Sequence, residues 1–180
     1  MRIAITGAHR VGKTTLGEIL HESLPAYDFR MEPYYELEES GFEFSEIPNV
    51  DDLLILLEYS IKQIPTSDHN VLFDRCPIDF LAYIQALDET IHLQPLYNKV
   101  ENIMEEIDLL VFVPVEEPDL ILCQEADLPK LRYKVNEILN DWVLDFGIDT
   151  ITVKGTLLNR RDQVLGKISS MLPDAIKRKP

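Results

Sequence analysis

The residues best suited to chemistry lie near the start of the chain, where "GAHRVGKT" (7–14) fits the pattern G-x-x-x-x-G-K-[ST]. The two glycines allow consecutive backbone N–H groups to turn inward around an anion. Lys13 adds an ammonium group that reaches the β- and γ-phosphates, and the Thr14 hydroxyl is a ligand for Mg²⁺. This segment, the P-loop, therefore predicts a site for ATP or a similar triphosphate with magnesium.

The segments on either side of the P-loop have the periodicity that such a site requires. "IAIT" (3–6) is typical of a short buried strand, and Leu16, Ile19 and Leu20 follow at helical spacing. A helix that begins near Lys13 adds unpaired N–H groups and the positive end of its dipole. The predicted nucleotide-binding residues are Gly7, Ala8, His9, Arg10, Val11, Gly12, Lys13, Thr14 and Thr15.

A second candidate pair, Asp74 and Arg75, comes at the end of the apolar segment "NVLFDR" (70–75). Phosphoryl transfer needs a carboxylate that holds magnesium or orients the attacking hydroxyl, together with cations near the moving phosphate. Asp74 is a candidate for either duty, with an N-cap of the following helix as the structural alternative. The planar fork of Arg75 suits an acceptor or the transferred phosphate, and an ion pair with a neighbouring acid is its alternative.

The composition narrows the class of protein. The 180 residues suffice for one domain with a core, and a net charge of −15 argues against a nucleic-acid partner. No apolar run approaches the roughly 20 residues that cross a membrane. The first predicted strand starts so early that we expect no secretory leader, and Cys76 and Cys123 suggest reduced thiols. We therefore expect a cytoplasmic protein.

Apolar strand candidates alternate with helical patterns along the chain. The strands are predicted at "YDFRM" (27–31), "NVLFDR" (70–75), "DLLVFVPV" (108–115) and "DTITVKG" (149–155), after the strand that precedes the P-loop. The helices are predicted at 49–65, 77–87, 95–107, 129–147 and 158–172, besides the one that follows the P-loop. This alternation predicts an α/β fold with a parallel sheet and helices on both faces. Gly7, Glu32, Asp74, Pro114 and Gly155 follow strand ends and should meet at one edge.

Three further motifs resemble those of P-loop nucleoside and nucleotide kinases, notably deoxynucleoside kinases, thymidylate kinase and nicotinamide riboside kinases. "FDRCPIDFLAY" is similar to the Asp-Arg element after their third strand. "MEPYYEL" is similar to the Glu-Pro element of deoxynucleoside kinases, and "TVKGT" with Arg160 and Arg161 looks like their adenine-side loop. The resemblance implies a three-layer sandwich with a five-stranded parallel sheet.

The resemblance also implies residue roles. Glu32 matches the glutamate that takes the acceptor's proton, so that Glu32 and Asp74 are rival bases, with a surface glutamate before a proline turn as the alternative for Glu32. Gly155 belongs to the adenine-side loop. Arg132 best matches the lid arginine by position, with a helix-surface arginine as the alternative. The predicted lid (115–131) is acidic, whereas such kinases usually have several arginines there. Tyr34 and Tyr35 are candidates for the acceptor pocket or for the core.

We therefore expect one kinase-like domain over 1–173 and a disordered basic tail over 174–180. The expected reaction moves the γ-phosphoryl group of ATP to a hydroxyl of a small molecule, with a nucleoside-like acceptor favoured. The alternatives are a nucleotide-dependent switch or regulatory ATP-binding protein, and a degenerate P-loop scaffold. We expect no nucleic acid and no membrane as partner, and the sequence leaves open whether the chain forms a homodimer.

Overall fold

A computed structural model describes residues 1–66, 70–119, 121 and 123–171, so the predicted tail at 174–180 lies outside the described residues. The strands are β1 (Arg2–Thr6), β2 (Asp28–Arg30), β3 (Val71–Asp74), β4 (Leu109–Phe112) and β5 (Thr150–Thr152). They form one sheet in the order β2-β3-β1-β4-β5, and every neighbouring pair is parallel. The predicted five-stranded parallel sheet is confirmed.

The helices follow the strands in chain order. They are α1 (Lys13–Ser23), α2 (Pro33–Glu39), α3 (Val50–Thr66), α4 (Pro77–Leu87), α5 (Gln94–Met104), α6 (Pro129–Trp142) and α7 (Leu157–Met171), with a 3-10 helix at Glu125–Asp127. No helix within the described ranges is long and apolar enough to cross a membrane.

The hydrophobic core is centred on the three middle strands of the sheet, β3, β1 and β4. β3 and β4 are buried at every position, and β1 is buried from Ile3 to Thr6. Such strands read as continuous apolar runs because helices cover both faces of a parallel sheet. The register places Ile5 of β1 beside Asp74 of β3 and beside Val111 of β4. Asp74, the last residue of β3, therefore lies at the same edge of the sheet as the P-loop. This agrees with the prediction that residues at strand ends meet at one edge.

Two local predictions differ from the structure. The short helix α2 was not predicted, because its seven residues are mostly polar and its apolar side is too short to show a period. Pro65 does not end α3, which continues to Thr66; a proline in the last turn removes only one terminal hydrogen bond. Within the predicted lid (115–131), the described residues form a 3-10 helix at Glu125–Asp127, and α6 begins at Pro129, inside the predicted bounds.

Candidate active site

The P-loop wraps tightly around the end of β1. A Cβ atom on Gly7 would lie 2.4 Å from the carbonyl oxygen of Val113, so only glycine fits against β4 there. Gly12 has a φ of 88°, a left-handed conformation that suits glycine, and it directly precedes α1. The Lys13 side chain lies inside the loop, where Nζ donates to the Ala8 carbonyl at 2.7 Å. Its pKa falls to about 8, mainly because burial disfavours the ammonium.

The backbone N–H groups of the P-loop differ in whether they already have a partner within the protein. Those of Gly7 and His9 are used within the protein: they donate to Asp79 Oδ1 at 2.9 Å and to the Tyr83 hydroxyl at 2.7 Å. Those of Arg10, Val11 and Gly12 have no hydrogen-bond partner among the described residues. Consecutive unpaired N–H groups at a helix N-terminus bind anions. This geometry fits the phosphates of a nucleotide.

Thr14 and Asp74 provide oxygen atoms at the start of α1. The Thr14 hydroxyl donates to Asp74 Oδ2 at 2.6 Å, whereas Asp74 Oδ1 is buried and has no partner within the described chain. Burial raises the pKa of Asp74, and the nearby Lys13 ammonium opposes that rise. A carboxylate oxygen without a partner beside a hydroxyl suits hydrated Mg²⁺, which prefers oxygen ligands. No cluster of three or more His, Cys, Asp or Glu residues in the described ranges suits a softer metal.

Arg75 has a strained backbone that aims its side chain at the P-loop. Its φ of 77° is unusual for a residue other than glycine, and such strain often marks functional sites. Nε donates to Glu32 Oε1, and Nη1 lies 3.4 Å from the Gly7 carbonyl and 3.6 Å from Asp79 Oδ1. Burial disfavours its charge, but the carboxylates of Glu32 and Asp79 outweigh that effect and raise its pKa. The ion pair foreseen as the alternative for Arg75 is thus present.

A cavity of about 380 Å³, which we call the Tyr34 cavity, opens beside the P-loop. Its inner wall includes His9, Glu32 and Arg75, and the helices α3 and α4 supply Asp52, Leu53, Leu56, Phe80 and Tyr83. Tyr34 stacks on Phe44 with ring centroids 4.6 Å apart, and both rings line the cavity. Tyr35 is 47% exposed and lines neither this cavity nor the core.

Arg132 and Arg160 lie on the other side of the P-loop and are buried, 1% and 6% exposed. Arg132 pairs with Asp119 and Arg160 with Glu116, and both arginines donate to P-loop carbonyls. Arg132 is therefore not on the helix surface. Gly155 has a φ of 93°, and its N–H donates to Glu116 at 2.9 Å.

A comparison with known families agrees with this architecture. The sequence pattern of the AAA domain family matches residues 2–161. The chain belongs to the AAA domain family. A search of curated proteins found no match.

Several solved structures resemble this AAA domain in fold. The deoxyadenosine kinase of M. mycoides has 17% identity and a TM-score of 0.64 over 95% of this chain and 100% of that one. The thymidylate kinase of Ehrlichia chaffeensis has 14% identity and a TM-score of 0.69 over 93% and 98%. The NadR protein in complex with NAD and AMP-PNP has 17% identity and a TM-score of 0.71, over 95% of this chain and 50% of that one. The AAA domain therefore has the fold of P-loop nucleoside and nucleotide kinases.

The structure also adds residues to the site of this AAA domain that sequence reasoning missed. Asp79 is fully buried, and its two oxygens hold the Gly7 N–H and the Cys76 N–H, the latter at 3.0 Å. An acid three residues into a helix that begins after Cys76 is a capping signal, and that signal was visible in the sequence. Tyr83 carried no such signal, because an aromatic residue in an apolar helix is usually core.

Proposed function

We propose that this protein is an ATP-dependent kinase that transfers the γ-phosphoryl group to a hydroxyl of a nucleoside-like molecule. The observation that carries the proposal is the position of the Tyr34 cavity. It shares His9 with the P-loop and has Glu32 and Arg75 in its wall, so a bound acceptor would lie next to the triphosphate. The fold neighbours support the reaction class, since one was solved with AMP-PNP and another with the products dCMP and dCDP.

Each side chain has a role that follows from its position. Lys13 and the free N–H groups would bind the phosphates. Thr14 and Asp74 would hold Mg²⁺, which would neutralise charge on the phosphates. Glu32 accepts the proton of the acceptor hydroxyl. The hydroxyl oxygen of the acceptor forms a bond to the γ-phosphorus while the bond between that phosphorus and ADP breaks. Arg75 orients Glu32 and lies near the point of transfer. Asp74 is assigned to magnesium because its carboxylate contacts Thr14 and is absent from the cavity wall.

The charges around the Tyr34 cavity favour an acceptor without a phosphate. Glu32, Glu46, Asp52 and Asp127 line the cavity, and the one cationic side chain in its described wall is Arg75. Arg75 is already paired with Glu32, and it faces Asp79 as well. An anionic acceptor needs unpaired arginines or lysines, whereas the stacked Tyr34 and Phe44 suit the flat base of a nucleoside.

The test is the initial rate of ADP formation from Mg-ATP with a panel of nucleosides and the matching nucleoside monophosphates. We expect at least one nucleoside to increase the rate at least about tenfold, and its monophosphate to have little effect. If the monophosphates stimulate more strongly, the acceptor class is wrong although the kinase assignment stands. If no acceptor stimulates ADP formation, the transferase assignment fails.

A second candidate function is a nucleotide-dependent switch with little transferase activity. The observation in its favour is that each nitrogen of the Arg132 guanidinium already donates to Asp119 or to a P-loop carbonyl. Such a protein would hydrolyse ATP slowly whatever small molecule is present, so the same panel of acceptors separates the two functions.

A further inference from the structure

The carbonyl side of the P-loop is bound by two buried arginines. Arg132 donates from Nε to the His9 carbonyl at 3.0 Å and from Nη2 to the Arg10 carbonyl at 2.9 Å. Arg160 donates from Nη1 to the Val11 carbonyl at 2.7 Å. The two guanidinium groups together therefore bind three consecutive carbonyls.

These carbonyls belong to the peptide groups whose N–H groups are unpaired. The His9 carbonyl is in the same peptide group as the Arg10 N–H. Likewise, the Arg10 carbonyl shares a peptide group with the Val11 N–H, and the Val11 carbonyl shares one with the Gly12 N–H. In a trans peptide the C=O and N–H bonds point in opposite directions. An arginine on the carbonyl therefore fixes the direction of the N–H, and it also polarises the peptide so that the N–H becomes a stronger donor.

The backbone at Arg10 needs such support. Its φ of 57° is left-handed, which a side chain makes unfavourable, and such a conformation persists where the surroundings hold it. A left-handed residue next to right-handed ones produces the concave array of N–H groups that binds anions. The bond from Arg132 to the Arg10 carbonyl holds the loop at this point.

One loop orients both arginines. Asp119 accepts from Nη1 and Nη2 of Arg132, the latter at 3.1 Å, and Glu116 accepts from Nη2 of Arg160 at 2.7 Å. Both acids follow β4. Glu116 also accepts the Gly155 N–H, which connects the loop after β5 to the same network.

We propose that Arg132 and Arg160 are positioning residues that hold the P-loop in its phosphate-binding shape, and that Asp119 and Glu116 orient them. Arg132 then does not bind the γ-phosphate as a lid arginine would, because each nitrogen of its guanidinium already donates to Asp119 or to a P-loop carbonyl. The proposal rests on the nucleotide-binding part of the proposed function and does not depend on phosphoryl transfer.

The test compares two nucleotides, Mg-ADP and Mg-AMP-PNP, by titration calorimetry. In Arg132→Ala, we expect both affinities to fall by the same factor, about tenfold or more, because the N–H groups of the P-loop bind the phosphates that the two nucleotides share. In Asp119→Asn, which keeps the size of the side chain, we expect a parallel loss of about threefold to fivefold. Glu116→Gln should behave like Asp119→Asn. Asp149→Asn, a matched change in the exposed ion pair with Lys167, should leave both affinities unchanged.

The ratio of the two affinities decides between positioning and direct contact. If Arg132 binds the γ-phosphate, Arg132→Ala weakens AMP-PNP far more than ADP, and Asp119→Asn leaves binding unchanged or improved; either result overturns the proposal. Circular dichroism confirms that each variant is folded, and Asp119→Asn provides the answer if Arg132→Ala does not fold. Failure of acceptor-dependent transfer, with nucleotide binding intact, would count against the kinase assignment alone.

Discussion

The P-loop and the Tyr34 cavity meet at His9, but the charges around them are opposite. The P-loop has Lys13 inside it, and Arg132 and Arg160 behind it. The wall of the cavity carries four acids and one arginine that is already paired. The first region is suited to an anion and is built mainly from backbone groups. The second is suited to an uncharged or cationic molecule and is built from side chains.

Under the proposed function, this difference would keep the nucleotide and the acceptor apart at one edge of the sheet. A triphosphate that entered the cavity would face Glu32, Glu46 and Asp52, while an uncharged acceptor gains little from the N–H groups of the P-loop. Because like charges disfavour the wrong placement, the acidic wall would favour the proposed uncharged acceptor over a nucleotide. The following predictions test this division, beginning with the largest expected effect.

The Lys13→Ala variant should lose the phosphate-binding function of the P-loop. We expect transfer to fall by about a thousandfold or more, because a fixed cation on the transferred phosphate is removed, and Mg-ATP binding to weaken. The measurements are the initial rate of ADP formation and calorimetry, with circular dichroism as the check on folding. Unchanged Mg-ATP affinity would mean that this loop is not a working phosphate site.

The Asp74→Asn variant should disturb magnesium and leave the cavity intact. We expect turnover to fall by at least about a hundredfold, since the near-isosteric amide lacks the charge that Mg²⁺ requires. EDTA should likewise suppress turnover of the unaltered protein, and Mg²⁺ or Mn²⁺ should restore it. Stoichiometric zinc in the purified protein would contradict this assignment.

The Glu32→Gln variant should affect the reaction of the acceptor in the Tyr34 cavity and leave nucleotide binding unchanged. We expect acceptor-stimulated ADP formation to fall by about tenfold to a hundredfold, because the amide cannot take the proton, while Mg-ATP affinity stays within about twofold. Asp74→Asn is the matched control, since it changes the other carboxylate by the same chemistry. If neither variant changes acceptor-dependent ADP formation by more than a few fold, the switch function takes the place of the kinase.

The affinity for Mg-ADP should decrease as the pH rises through about 8, the pKa of buried Lys13 in the free protein. Bound phosphates favour the ammonium, so that binding takes up a proton, and the affinity should fall by up to about tenfold per pH unit. Folding cannot explain this loss. Since the pKa of Lys13 is lower in the folded protein than its ordinary 10.5, the unfolded chain binds more protons between these values, and this group's contribution to stability rises with pH. Lys13→Ala should abolish this pH dependence.

Much of the phosphate site could be predicted from the sequence because the P-loop is local. Its glycines, Lys13 and Thr14 lie within eight consecutive residues, and the flanking periodicities identify a strand and a helix. That Asp74 ends a buried strand at the same edge was also predictable, since its strand is a continuous apolar run, whereas the register that puts Ile5 beside Asp74 came from the structure. The roles of Lys13, Thr14, Asp74 and Glu32 stay predictions until they are tested.

The tertiary structure alone decided what surrounds that loop. Asp79, Tyr83, Arg132 and Arg160 are between 72 and 149 residues from their P-loop partners, and no local pattern encodes contacts across such separations. The same is true of the Tyr34 cavity, whose acids come from four separate segments and gain their common effect only when the chain folds. Residue types and their spacing determine local geometry. The charge around a site depends instead on which distant side chains come together when the helices pack on the sheet.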